Sequence, residues 1–278
     1  MRHCPSIGLG LGLSLRSQGG GFTGLLDTYS GAAAAYSLRA LSSGWLAGDV
    51  VEVRRSSDGT LQNFTASQIT NGDLLTFTGA GDGFVATWYD QSGNANNATA
   101  QPKIVSAGAL VTGGLDFDGV DDFMTTASYA VELSQNSASV FAVYEATGSF
   151  NNARVLTEGD TAVGGSSQFI IPFEGGSSLF WVNGDETGTK PTGLALIGFD
   201  YDQTASTIKA FSNGSQSGAD LSNPTLNSEQ RNYTFIGSNT LGNILFGGTI
   251  KEIITYKSDQ SANRAAIETN INEFYTIY

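Results

Sequence analysis

Alternating apolar and polar positions run through this chain and predict that much of it forms β-strands. The stretches Thr87 to Gly93 and Leu115 to Phe123 both change character at every second residue, which is the period of a strand with one buried face. Each ends in a cluster of small polar residues and glycine, which favours tight turns. Gly247 to Tyr256 opens with glycines and is rich in β-branched residues, so it also predicts a strand.

Two stretches predict short helices. The first runs from Ala32 to Leu41 and the second from Ala262 to Phe274. Ser258 or Asp259 can cap the second helix, because a short side-chain oxygen accepts a hydrogen bond from the free amides of the first turn. Spacings of four, three and four residues place one apolar stripe on this helix, formed by Ile267, Ile271, Phe274 and Tyr278.

The amino-terminal residues 1–21 carry a separate pattern and predict an extended arm. Apolar side chains occupy every odd position from 7 to 15, with glycine or serine between them: Ile7, Leu9, Leu11, Leu13 and Leu15. Such a segment has one apolar face, and its backbone needs a sheet edge or a groove to pair with. Gln18 to Gly21 forms a flexible hinge to a body of residues 22–278. A secretory signal is the alternative, but glycines interrupt its apolar region and no clear cleavage motif follows.

Composition agrees with a large β-rich domain. The 278 residues include 36 glycines, only 14% are charged and 40% are hydrophobic, which suits many strands joined by turns around a sizeable core. No apolar run approaches the roughly 20 residues that span a bilayer. We therefore expect a β-sandwich without membrane insertion.

Charge and rare residues exclude several classes of function. The body holds 11 basic and 26 acidic residues, which repels phosphate backbones and argues against nucleic-acid binding. His3 and Cys4 are the only histidine and cysteine, and both lie in the arm. The body therefore has no Ser-His-Asp triad, no disulfide and no zinc site of the usual ligands. Assembly in a reducing cytoplasm fits this composition.

Three motifs in order carry a family resemblance over residues 25 to 125. They are Ala35 to Leu41, Val51 to Asp58 and Trp88 to Gln101. Together they resemble the first half of the arabinofuranosidase B catalytic domain, a combination that also recurs in structural proteins of bacteriophage particles. The final strand and helix are similar to the ending of laminin G-like and lectin-like modules. The resemblance implies an all-β, concanavalin A-like jelly-roll sandwich with two short helices and an extended amino-terminal arm.

Several groups of residues are candidates for a site. Asp116, Asp118, Asp121 and Asp122 offer the hard oxygen ligands that calcium prefers, or they form a solvated strand face and turn. The loop residues Asp90, Asn94 and Asn96 can bond to sugar hydroxyls, or Asp90 is buried and bonds to backbone. Trp88 and Tyr89 point to opposite faces of a strand, so we expect one of them in the core.

Trp181 is a candidate sugar-stacking platform or a core residue. A glycoside hydrolase needs two facing carboxylates, and Glu174 is one of several available in the middle of the chain. The catalytic residues of the arabinofuranosidase cannot be matched to positions here, so no catalytic residue is assigned.

These observations favour a non-enzymatic function. We expect a structural protein of a phage virion, either a capsid decoration, a fibre subunit or a tail-associated adhesin, assembled in the host cytoplasm. Its arm would bind other virion proteins, its lectin-like body would bind host surface glycans, and the protein would form a homo-oligomer. The alternatives are a glycoside hydrolase of arabinofuranosidase type, a spike depolymerase and a bacterial carbohydrate-binding module.

Overall fold

The computed structural model describes residues 21–126, 131–147, 154–159, 167–172, 177–226, 233–240 and 242–278. The five apolar arm residues, Ile7 to Leu15, and the candidate carboxylate Glu174 lie outside the described residues. The helices are α1 (Leu25–Thr28), α2 (Ala66–Thr70), α3 (Asp73–Thr78) and α4 (Arg264–Tyr275), with a 3-10 turn at Ser43–Trp45. The strands are β1 (Ala32–Ser37), β2 (Asp49–Arg55), β3 (Leu61–Thr65), β4 (Gly83–Trp88), β5 (Ala98–Ala100), β6 (Lys103–Ser106), β7 (Ala109–Leu110), β8 (Leu115–Asp118), β9 (Met124–Thr126), β10 (Ala138–Ala146), β11 (Leu156–Gly159), β12 (Ser167–Ile171), β13 (Ser178–Val182), β14 (Asp185–Thr189), β15 (Leu194–Asp202), β16 (Thr207–Ser212), β17 (Ser215–Gln216), β18 (Leu221–Ser222), β19 (Tyr233–Ile236) and β20 (Gly247–Tyr256).

The strands are antiparallel and form two branches that meet at β4. One edge of β4 pairs with β2, and its other edge pairs with β6 near Gly83 and with β5 near Trp88. From β6 the sheet continues through β8, β20, β10, β15 and β16. From β5 it continues through β9, β19, β11, β12, β13 and β14. The predicted all-β, jelly-roll sandwich is confirmed.

Aromatic side chains fill the space between the two branches. The ring of Phe199 on β15 lies 4.7 Å from that of Phe180 on β13 and 5.4 Å from that of Phe169 on β12, measured between centroids. Trp88 is fully buried in the same cluster, whereas Tyr89 is half-buried and its hydroxyl donates to the Asn63 side chain. The expectation that one of these two neighbours lies in the core is therefore confirmed.

A smaller apolar cluster lies beneath the carboxyl-terminal helix. Ile267 and Ile271 of α4 pack with Phe141 of β10, Ile254 of β20 and Leu25 of α1. Because both faces of β10 and β20 are covered, seven consecutive residues in each strand are buried. This explains why β20 has no strict alternation in its second half. Within the described residues, no helix is long and apolar enough to cross a membrane.

The predicted helix from Ala32 to Leu41 is wrong, because this segment contains strand β1. Residues 32–37 pair with β20, more than 200 residues away in the chain. Alanine has the highest intrinsic helix propensity, but such propensities are small, and pairing with a central strand overrides them. The small side chains of Ala34 and Ala35 are fully buried, one in each apolar cluster.

The terminal helix is confirmed, but two details of its prediction are wrong. The helix begins at Arg264 after Asn263, and the Asp259 carboxylate instead accepts hydrogen bonds from the amide and hydroxyl of Ser261. The predicted stripe is buried only at Ile267 and Ile271, whereas Phe274 and Tyr278 are 55% and 52% exposed. The helix ends at Tyr275, so the helical spacing does not extend to Tyr278.

Candidate functional site

Strand register brings four side chains into one line across the sheet. Arg54 of β2 pairs with Phe84 of β4, Phe84 pairs with Lys103 of β6, and Lys103 pairs with Asp116 of β8. Directly opposite residues in a sheet place their side chains on the same face. We call these four residues the cross-strand row, and none of them is fully buried.

The cross-strand row is held by hydrogen bonds and by contacts to an aromatic ring. The Arg54 guanidinium lies 5.0 Å from the Phe84 ring centroid, and Lys103 Nζ lies 5.6 Å from the same centroid. Arg54 donates to the Gln101 side chain at 2.8 Å, and Lys103 Nζ lies 3.1 Å from the Asp82 carboxylate. These contacts orient two cations around a half-buried aromatic ring.

A tight turn after β8 brings three carboxylates together, and we call Asp118, Asp121 and Asp122 the acidic turn. Their ligand oxygens all lie within 4.8 Å of one another. The Asp118 carboxylate accepts from the amides of Val120 and Asp121, and Asp122 accepts from the Asp118 amide. Asp116 lies outside this group, so the structure joins three of the four predicted metal ligands. Calcium binding stays a prediction.

The carboxylates of this region differ in how readily they ionise. Burial, together with the neighbouring acids, raises the pKa of Asp122 to about 6. Burial also raises the pKa of Asp116 above its ordinary value. Burial has the same effect on Asp118, but three backbone amides outweigh it and the pKa of Asp118 is lowered. Neighbouring acids with separated pKa values are typical of binding and catalytic sites.

The cross-strand row and the acidic turn line one cleft. The cleft has a volume of about 480 Å³ and is completed by Ala100, Gln101 and Phe123. A neighbouring depression of about 320 Å³ shares Arg54 and Phe84 with it and extends to Leu61. The two form a polar groove over β3, β2, β4 and β5 that offers hydrogen-bond donors, acceptors and apolar ring surfaces.

The polar side chains of the predicted sugar-binding loop form hydrogen bonds within the protein. Asp90 is buried, and its carboxylate accepts from the amides of Ala35, Ser92 and Asn96 at 2.8, 2.9 and 3.0 Å. It also accepts from the Ser92 hydroxyl at 2.7 Å. The neighbouring Gln91 donates from its side-chain amide to the carbonyls of Ser37 and Arg39 and accepts from the Leu41 amide. These contacts match the alternative interpretation of Asp90 from the sequence, which is a buried carboxylate that bonds to backbone.

Asn94 and Asn96 also point their amides at strand β1. Asn94 donates to the carbonyls of Ala32 and Ala33 at 3.0 and 3.1 Å, and Asn96 donates to Ala33 at 2.9 Å. Both asparagines line a separate depression beside Lys257. A role for Asp90, Asn94 or Asn96 in ligand binding stays a prediction, and the structure places them apart from the cross-strand row.

Trp181 lies on β13, in the other branch of the sheet. It is half-buried between the fully buried Phe180 and Val182 and pairs with Ile170 and Glu186. It does not line the candidate cleft. Its role as a sugar platform stays a prediction.

Sequence reasoning did not find the cross-strand row as a site. Arg54 belongs to a motif that carries the family resemblance, and Phe84 alternates with buried Val85. These signals place both side chains on an outward face. They do not reveal which residues of four separate strands become neighbours, because register depends on turns and bulges throughout the sheet.

Comparison with known proteins supports the fold alone. No protein-family model and no curated protein matches this chain. Among solved structures, an arabinofuranosidase complexed with arabinofuranosyl-α-1,2-xylobiose is similar with a TM-score of 0.67 and 16% identity, over 90% of this chain. A variant of a GH54 α-L-arabinofuranosidase soaked with 4-nitrophenyl α-L-arabinofuranoside gives 0.64 and 16%, and the enzyme soaked with a cyclic sulfate inhibitor gives 0.59 and 15%. The match covers 64–65% of each of those chains, so this chain spans about two thirds of their length.

Proposed function

We propose that this chain is a lectin-like domain that binds glycans, and that the cleft formed by the cross-strand row and the acidic turn holds the sugar. The observation that carries the proposal is the register that aligns Arg54, Phe84, Lys103 and Asp116 along one cleft. The jelly-roll fold supports it as an analogy, because the similar solved structures are those of glycan-cleaving enzymes.

The chemistry of the cleft suits a pyranose or furanose ring. Sugar hydroxyls both donate and accept hydrogen bonds, and the cleft offers the donors Arg54 and Lys103 and the acceptors Asp116 and Asp122. The aromatic rings of Phe84 and Phe123 offer apolar surface to the C–H faces of a sugar. Polar sites of this kind fix orientation, while apolar rings supply contact area.

The charge balance favours a neutral glycan. The cleft holds four carboxylates, Asp116, Asp118, Asp121 and Asp122, against the two cations Arg54 and Lys103. The body as a whole holds 11 basic and 26 acidic residues. A sialylated or uronate-rich glycan is negatively charged, so the acidic cleft and body would repel it at distances too short for salt to screen the charges.

The first experiment compares neutral with anionic glycans. A panel of neutral arabinose-, xylose- and hexose-containing oligosaccharides and matched sialylated and uronate-containing ones is titrated against the protein, with chemical-shift mapping of the bound state. We expect shifts at Phe84 and Asp116 with neutral glycans only. Shifts that map to Trp181 or to Asn94 instead, or an absence of binding at millimolar concentrations across the panel, would refute the proposed site.

The second candidate function is glycoside hydrolysis of arabinofuranosidase type. It is favoured by the similar solved structures and by the different pKa values of the carboxyl groups in one cleft. A difference in pKa lets one carboxyl group act as the acid and another as the base. Incubation with arabinan, arabinoxylan and aryl arabinofuranosides tests it. Turnover that is lost in both Asp116→Asn and Asp122→Asn would favour the hydrolase, whereas binding without release of sugar would favour the lectin.

We further propose that the protein is a component of a virus particle. The resemblance to phage structural proteins and the alternating apolar arm support a role in which the arm binds other virion proteins and the body contacts host glycans. Replacing Leu9, Leu11 and Leu13 with serine should leave a soluble body that no longer joins the particle. Incorporation at normal occupancy would contradict this role.

A further inference from the structure

An apolar groove lies beside Phe22, next to the first described residue of the chain. It has a volume of about 730 Å³ and lies between α1, α2, the β6–β7 hairpin and α4. Eight large hydrophobic side chains are exposed among the described residues, and three of them line this groove: Phe22, Leu110 and Phe274, which are 47%, 39% and 55% exposed. Contiguous exposed apolar surface of this kind usually marks a place where another segment packs.

The cations of the groove do not recruit an acidic partner, because both are engaged from within. Arg39 forms an ion pair with the nearly fully buried Glu252 and lies over the ring of Phe274. Lys251 donates to the Thr112 carbonyl at 2.7 Å. The remaining surface is apolar side chain and backbone, so the groove suits an apolar, uncharged occupant.

The hairpin strand β7 supplies an edge for such an occupant. Ala109 and Leu110 pair with β6, and Val111 donates to the Ile104 carbonyl at 2.9 Å. Within the described part of the chain, β7 pairs with no strand other than β6. An extended segment can add to a free edge through its backbone while its side chains enter the groove.

The chain's own arm matches this groove in position and pattern. Phe22, directly after the hinge, lines the groove. The arm is therefore joined to the body next to the groove. From Ile7 to Leu15 an extended backbone covers about 27 Å, at roughly 3.4 Å per residue, with all five apolar side chains on one face. The three glycines Gly19, Gly20 and Gly21 allow the chain to turn back, and so short a tether gives a local concentration in about the millimolar range.

We propose that the apolar face of residues 7–15 packs into the groove of the same chain, with the arm's backbone along the free edge of β7. The arm then covers Phe22, Leu110 and Phe274 in the free protein. The same contacts can form between two copies by exchange of arms, so self-packing in the free protein is compatible with the proposed anchoring in a particle.

The single cysteine, Cys4, provides a direct test. A nitroxide attached to Cys4 in the full chain should broaden the amide signals of Ile69, Leu110 and Phe274 and leave those of Val120, at the acidic turn, unchanged. The broadening should persist on dilution of the protein, because the contact is intramolecular. It should disappear in Phe274→Asp and in a variant with Leu9, Leu11 and Leu13 replaced by serine, but not in Val120→Asp, whose side chain is 74% exposed elsewhere.

Three outcomes would overturn the proposal. The first is no selective broadening at the groove. The second is broadening that fades on dilution, which would assign the groove to a second copy. The third is broadening that survives both the Phe274→Asp change and the serine replacements.

Discussion

The loop after Trp88 and the acidic turn of the cleft both consist mainly of small polar residues at the ends of strands, but the two regions use these residues differently. In the loop, the Asp90 carboxylate accepts four hydrogen bonds, one from β1 and three from the loop itself, and so joins the two. In the cleft, Asp116 and Asp122 remain partly exposed, and burial raises the pKa of each. A polar motif that satisfies itself stabilises the fold, whereas one left partly unsatisfied at a cleft is available to a ligand.

This difference explains why the most recognisable motif is not the candidate site. Asp90 and Gln91 belong to the motif that carries the family resemblance. Asp90 holds β1, and Gln91 holds the end of β1 and the segment that follows it. The resemblance therefore follows the scaffold. The proposed glycan site lies apart from this loop, on the cross-strand row, because a fold does not by itself determine function.

The largest expected effect concerns Asp90. Replacing it with alanine leaves the buried Ala35 amide, two part-buried amides and one part-buried hydroxyl without their acceptor, and a buried orphaned group costs about 1–3 kcal/mol. We therefore expect Asp90→Ala to lower the free energy of unfolding by about 3 kcal/mol or more, measured by urea denaturation. Asp118→Ala, in the exposed acidic turn, is the matched control and should cost about 1 kcal/mol or less. Equal losses in the two variants would contradict the proposed difference between the loop and the acidic turn.

The second prediction concerns calcium at the acidic turn. Three carboxylates that lie within 4.8 Å of one another repel, and a bound divalent cation would relieve this repulsion. Calcium at about five times its Kd would stabilise the fold by about 1 kcal/mol through mass action. Thermal melts should show a clearly larger rise with calcium than with magnesium, which gives up its water reluctantly. Asp118→Asn should lose most of the difference in melting temperature between calcium and magnesium. Identical melts in calcium, magnesium and chelator would mean that the acidic turn binds no metal ion and is only solvated.

The smallest expected effect is a pH dependence from Asp122. Its pKa rises from 3.8 in the unfolded chain to about 6 in the fold, so the folded state holds the proton more tightly. The contribution of Asp122 to stability is therefore full below about pH 4 and is lost as the pH rises through about 6. Because the side chain is only half-buried, solvent screening keeps the effect small.

A pair of variants isolates that effect. Asp200 and Glu268 also have raised pKa values, of about 6 and about 7, and both remain in the variants. The difference in unfolding free energy between the parent protein and Asp122→Asn should therefore change between pH 4 and pH 7, in favour of the variant at the higher pH. Val120→Asn, at a neighbouring exposed position that carries no titrating group, should keep the pH profile of the parent, and an unchanged profile in Asp122→Asn would contradict the assignment.

Much of the scaffold could be predicted from local pattern. The alternation in Leu115 to Asp118 places Leu115 and Phe117 in the core and the two aspartates outward, as observed. The glycine-led, β-branched stretch at 247–256 is strand β20. In these segments, the local sequence and the tertiary environment favour the same structure.

The rest depends on contacts between distant segments. Residues 32–37 become a strand because β20 is there to pair with them, and no local signal carries that information. The cross-strand row depends on the register of four strands, and a shift of one residue in any of them would turn a side chain of the row to the opposite face. Phe84 and Lys103 could therefore be assigned to outward faces but not to a common site.

The most direct test of the account compares Phe84→Ala with Asn94→Ala in binding a neutral oligosaccharide selected from the panel. Phe84 lies in the cross-strand row, and Asn94 lies in the self-satisfied loop. Isothermal titration should give a Kd about tenfold weaker for Phe84→Ala, equivalent to a loss of about 1.4 kcal/mol, and a Kd within about twofold of the parent for Asn94→Ala. Unchanged affinity in Phe84→Ala together with a clear loss in Asn94→Ala would contradict the account.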